Sequence, residues 1–141
     1  MSIPISSADF RRATGMFPSL QPLATSGNLI TAIAVVIGGI SGSKRSDRVP
    51  VSYRVLASVR SLETALPPIW IASPEDSRIK HRNIYRAREV CPFNGRKMPT
   101  LCWGDTPKAW RGTATAERGL ANLLEAVRQV LANVNPDSPA R

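Results

Sequence analysis

Covalent chemistry in this 141-residue chain has few possible carriers: two cysteines, Cys91 and Cys102, and a single histidine, His81. A cysteine thiolate is a strong nucleophile, but a cysteine can also simply fill a core as a small apolar side chain. The two cysteines differ in their surroundings. Cys102 follows Pro99-Thr100-Leu101 and precedes Trp103-Gly104-Asp105, at the end of an irregular stretch and ahead of a helix, where a partner can reach a thiol. Cys91, between Val90 and Pro92, has no such context and reads as packing. His81 could act as base in a Cys–His pair, although no spacing requires it. A structural hydrogen-bonding role is the plainer reading of His81. Two cysteines cannot build a disulfide framework. With one histidine they cannot complete a zinc set of four cysteines, or of two cysteines and two histidines. No metal or cofactor is expected, and two thiols fit a reducing, cytoplasmic compartment.

The elements that must position these groups can be read from periodicity. The length suits one domain, residues 1–141, and 43% apolar residues can close a single core. Residues 7–14 suit a short helix capped by Ser7, with Asp9 in its first turn, Arg11 and Arg12 near its end, and Gly15 and Pro18 stopping it. The apolar run at 29–40 is too short to cross a bilayer, which takes about 20 residues as a helix. Its β-branched residues Ile30, Ile33, Val35, Val36 and Ile37 predict a buried strand over 28–37. Gly38-Gly39 should then open a hairpin loop whose charged tip holds Lys44, Arg45 and Asp47. The next strand alternates: Val51, Tyr53, Val55, Ala57 and Val59 on one face, Ser52, Arg54, Ser58 and Arg60 on the other, with Leu56 the exception. A short strand over 69–72 follows Pro67-Pro68. Neighbouring strands with short links predict an antiparallel meander. Residues 74–112 show no period and read as an ordered, irregular loop that carries the chemistry. The last element is an amphipathic helix, with Ala116, Leu120, Leu123, Leu124, Val127, Val130 and Leu131 on one side, Thr113 as N-cap, and Asn133 and Pro136 at its end.

This order of features resembles the ubiquitin-conjugating (E2) family. Pro67-Pro68 resembles the family's Pro-Pro before its third strand, and His81-Arg82-Asn83 its His-Pro-Asn, with Arg82 in place of the proline. Leu101-Cys102 resembles the catalytic cysteine pair, Trp110 follows at the family's interval, and Asn135-Pro136-Asp137-Ser138-Pro139 is similar to the Asn-Pro-Asp-Asp-Pro segment after the crossover helix. The resemblance spans about residues 7–140 and rests on the order of these features, since none is specific alone. It implies an α+β, UBC-like fold: N-terminal helix, antiparallel meander, irregular active-site loop and C-terminal crossover helix, without the last two helices of eukaryotic members. The long separation of Asn83 from Cys102 implies an insertion near residues 86–97.

The resemblance further implies an acyl-transfer enzyme. An E1-like activating enzyme would pass a ubiquitin-like protein to Cys102 as a thioester, and a target amine would then take it. Asn83 would donate to the oxyanion or pin its loop. Asp137 and Ser138 would position the amine. His81 and Trp110 would be structural near the site. Arg11 and Arg12 would face the activating enzyme, and Arg82, Arg96, Lys97 and Lys108 are cations that could favour the thiolate. The short form is similar to minimal bacterial proteins of two operon types. One, the Bil type, also encodes a JAB-type deconjugase. The other is the antiphage CBASS type, where the target is a cGAS-like nucleotidyltransferase. The missing Trp- and Gly-rich tail favours the first. Antiviral defence is the biological setting this implies.

Charge keeps a rival in play. Lys and Arg total 19 against 10 Asp and Glu, a net charge of +9 that suits an acidic partner. A nucleic-acid-binding module would use the basic 78–97 stretch with Tyr85 and Phe93 interleaved. The cations are spread along the chain, however, and no nucleic-acid signature is present, so neither a nucleic acid nor a membrane is the expected partner. Two further readings are an inactive E2-like scaffold and a Cys102–His81 protease, the latter without family context.

Overall fold

The computed structural model describes residues 5, 7–42, 45–134, 138 and 140. Its elements run α1 (Ser7–Met16), β1 (Gln21–Ser26), β2 (Leu29–Ser41), β3 (Val49–Ser58), β4 (Trp70–Ser73), β5 (Ile84–Val90), β6 (Lys97–Leu101), α2 (Thr106–Arg111) and α3 (Leu120–Ala132). The six strands pair antiparallel in one sheet, in the order β1-β2-β3-β4-β6-β5. The architecture is α+β, with a meander through the first four strands. No described helix is long and apolar enough to cross a membrane.

The main core lies between one sheet face and α1 and α3. Ile33, Val35 and Ile37 of β2 and Tyr53, Val55 and Ala57 of β3 meet Leu123, Leu124, Val127 and Leu131 of α3 there. Burying each of the larger side chains contributes about 1.5–3 kcal/mol. Leu56, the apolar exception on β3, belongs to a second cluster with Ala34, Trp70, Cys91 and Met98, against which Phe93 packs. Strand alternation puts Ala34 and Leu56 on the opposite sheet face from Val35 and Val55, so the sheet carries apolar packing on both sides.

Several boundaries differ from those predicted. β2 does not stop at residue 37 but continues through Gly38-Gly39 to Ser41. At Gly39 the end of α3 presses onto the strand: a Cβ there would stand 2.6 Å from the Leu131 carbonyl oxygen. Gly39 thus serves a close approach, and neither glycine makes a turn. The tip that follows has a single 3₁₀ turn at Arg45–Asp47, and Lys44 lies outside the described residues. α1 runs through Gly15 to Met16, so Arg11 and Arg12 sit mid-helix. α3 begins at Leu120, not after Thr113. Residues Thr115–Glu117 form a 3₁₀ turn instead, leaving Ala116 exposed. The N-terminus of α3 is closed from outside its own sequence, since the Leu120 N–H donates to Asp9 Oδ2 of α1 at 2.8 Å.

Residues 74–112 are not an irregular loop. They hold β5 and β6, a hairpin added to the sheet beyond β4, and α2. The hairpin is irregular in the middle: Tyr85 pairs with Thr100 and Glu89 with Met98, with a register shift between them. Pro99, opposite that shift, has no N–H to give the ladder. Residues 86–97 form the body of this hairpin, and Cys91 among them is fully buried in the second cluster.

Candidate functional site

Cys102 comes immediately after β6. Its N–H donates to the Asn83 carbonyl at 2.6 Å, which continues the β5–β6 ladder by one pair. Antiparallel pairing then fixes which side chains share a face. Asn83 and Cys102 are directly opposed, and Tyr85 and Thr100 are the next pair on that face. Between them Ile84 and Leu101 turn into the main core. Cys102 and Tyr85 are thus diagonal neighbours, within reach of a long side chain.

Cys102 lines an open groove of about 300 Å³ with Asn83, Trp103, Gly104, Gln129 and Asn133. The residue itself is 8% exposed. Burial is the largest single influence on its thiol and pushes the pKa up. The Ser138 and Tyr85 hydroxyls and the Gly104 N–H donate to the sulfur, and together they hold it below the ordinary thiol value. The same contact raises the Tyr85 phenol and keeps its proton on. The largest favourable contributions thus come from neutral donors, not from the cations singled out in the sequence. Gly104 can present its N–H because its φ is +58°, a left-handed turn that glycine adopts without strain.

His81 is fully buried beside the site. Its Nε2 donates to the Leu131 carbonyl at 3.1 Å, and its Nδ1 accepts the Asn83 N–H at 3.1 Å. Burial holds it below the usual imidazole range. With both ring nitrogens engaged, it fixes the Asn83 backbone and the last turn of α3 and does not face Cys102 as a base. Ser138 is buried, and its carbonyl accepts from Arg82 Nε at 3.3 Å. Asp137, with Asn135, Pro136 and Pro139, lies outside the described residues.

Trp110 is buried away from the groove, and its Nε1 donates to the Leu62 carbonyl at 2.8 Å, tying α2 to the β3–β4 connection. Trp103, on the groove wall, bonds the Pro67 carbonyl in the same way at 3.0 Å. Arg11 and Arg12 are exposed on α1, and Arg12 lines a different cleft, with Asp9 and Asn122. The structure therefore gathers Cys102, Asn83, Ser138 and His81, and leaves Trp110, Arg11 and Arg12 elsewhere. Tyr85, Gln129 and Asn133 join the site without a signal in the sequence that assigns them to it. Tyr85 is visible there only as an aromatic in a basic stretch, because its reach to Cys102 depends on strand register. Among the described residues, no three His, Cys, Asp or Glu side chains stand close enough to hold a metal ion.

Compared with known proteins, the chain matches no family model, no curated protein and no solved structure.

Proposed function

We propose that the protein is a UBC-like acyl-transfer enzyme that accepts a ubiquitin-like protein from an E1-like enzyme on Cys102 and passes it to a target amine. The observation that carries this reading is Cys102 lining an open groove with Asn83 directly opposite it on the hairpin ladder, and its lowered thiol pKa agrees with it. The element order supports it too, with a helix and a four-strand meander preceding the Asn and Cys, and an α-helix backing the sheet.

The chemistry follows from those groups. The Cys102 thiolate attacks the carbonyl of the carrier's thioester, a new C–S bond forms, and the activating enzyme's thiolate leaves. A target amine then attacks the Cys102 thioester and gives up a proton to solvent or a nearby base. The tetrahedral oxyanion collapses to an amide as the C–S bond breaks, returning the Cys102 thiolate. A lowered thiol pKa serves both steps, since it supplies the nucleophile and makes a better leaving group. The Asn83 carboxamide would donate to the oxyanion.

Incubation with an E1-like enzyme, ATP and the ubiquitin-like protein should give an adduct that reductant removes. Cys102→Ala should abolish it and Cys91→Ala should retain it. The reverse pattern, or an adduct on neither cysteine, overturns the proposal.

A further inference from the structure

The β5–β6 hairpin leaves the sheet open on one side. β5 is the terminal strand, and among the described residues no strand pairs with its outer edge. The ladder shows which backbone groups face out. The Cys102 N–H bonds the Asn83 carbonyl, and the Cys91 N–H bonds the Arg96 carbonyl. Those pairs turn Tyr85 and Glu89 inward toward β6, and the trans peptides next to them leave the Arg86 N–H, the Arg88 C=O and both backbone groups of Val90 on the outer edge, on either side of the register shift. All three residues are exposed, Val90 by 55%.

This edge is basic and directional. Arg86, Arg88, Arg96 and Lys97 are exposed on the hairpin, with Glu89 the one carboxylate among them. Among the described residues none of these four cations stands in an ion pair. Arginines along an edge repel a second copy of a chain carrying +9, which guards against self-pairing. The same charges admit an acidic strand. β5 also begins beside the nucleophile, at Asn83 and Ile84, and runs away from it to Val90.

We propose that the outer edge of β5 is a docking rail for an extended, acidic segment of the acyl carrier. The proposal rests on the acyl-transfer reading of Cys102. A segment that brings its C-terminal acyl group to Cys102 must end at the Asn83 end of β5, and so must run antiparallel to it, as every other neighbour in this sheet does. About six residues would cover the strand at roughly 3.3 Å each. Main-chain hydrogen bonds would supply affinity, and the arginines selectivity for acidic side chains.

The test uses the full-length Cys102→Ala protein, amide-resolved NMR and a synthetic octapeptide alternating Glu and Val. Binding should protect the amides of Arg86 and Val90 from exchange. N-methylation of alternate peptide amides should abolish it, a Lys/Val peptide should not bind, and Arg86→Glu with Arg88→Glu should weaken binding about tenfold or more. Perturbation away from β5, or equal binding of the N-methylated peptide, overturns the rail. So does a single-stranded oligothymidylate that binds this edge more tightly than the peptide. Thioester formation on Cys102 distinguishes the two claims. An unchanged rate in the double charge-reversal variant sinks the rail and leaves acyl transfer standing. Peptide pairing with no thioester sinks acyl transfer, and the carrier as occupant with it.

Discussion

A cysteine that is 8% exposed would ordinarily be a poor nucleophile, because burial penalises its charged form. Cys102 escapes this through three donors, of which two are single hydroxyls that can be removed without touching the backbone. The rate of alkylation by iodoacetamide against pH should therefore have its midpoint below the ordinary thiol value. Tyr85→Phe and Ser138→Ala should each move that midpoint upward, because each deletes a donor to the charged form and leaves the burial in place. Thermal stability of Tyr85→Phe near neutral pH should change little by comparison. A midpoint in Tyr85→Phe equal to that of the unaltered protein would remove Tyr85 from the site. At this scale the sequence shows Cys102, Asn83 and His81, whose residue types announce chemistry. It does not show Tyr85, whose part depends on being two residues from Asn83 on a strand opposite Thr100.

Between elements, the telling contact is Asp9 with the start of α3. Asp9 is a first-turn residue of α1, yet its carboxylate accepts the Leu120 N–H, and Gly119 leaves the space for it: a Cβ there would stand 2.9 Å from Asp9 Oδ2. One side chain thus closes a half-buried helix end and joins two elements distant in sequence. Asp9→Ala should destabilise the fold by about 0.5–2 kcal/mol, the range for losing an N-terminal cap, measured by denaturant unfolding. A loss near zero would mean that water replaces the carboxylate fully. This contact explains why the helix starts later than the sequence predicts: a cap supplied by another helix leaves no signal at residue 119, whereas Thr113 looks like a cap. The unpredicted strands have physical reasons as well. β1 is mostly exposed and contains Pro22, which suits an edge strand and spoils the alternation. The hairpin strands carry Pro99 and a register shift, so neither holds a clean period. β3 is legible because its alternation and burial coincide.

For the molecule as a whole, His81 is the joint between the site and the core. Its imidazole takes a carbonyl that the last turn of α3 leaves without an intrahelical partner, and it accepts the N–H of Asn83. It packs edge-on to Tyr53, with ring centroids 6.2 Å apart, and the Tyr53 hydroxyl in turn donates to Ile40 of β2 at 2.6 Å. Protonation would place a charge in this buried cluster and remove the acceptor for Asn83. Burial lowers its folded pKa, so the unfolded chain binds the proton more readily. The stability linked to His81 is present above its unfolded pKa of about 6.5 and is lost as pH falls toward the lower folded value. The slope cannot exceed about 1.4 kcal/mol per pH unit for one proton. His81 is the only histidine, and side-chain carboxylates ordinarily titrate below this window. Between pH 7 and 5 the melting temperature should fall, and His81→Gln, which can keep both hydrogen bonds, should flatten that fall even if its stability at pH 7 is lower. Repeating both in a Cys102→Ala background removes the remaining perturbed thiol from the comparison. An equal fall with and without the histidine would show that the acid sensitivity lies elsewhere. A flattened one would make the geometry around Asn83, and with it the groove beside Cys102, dependent on a neutral imidazole.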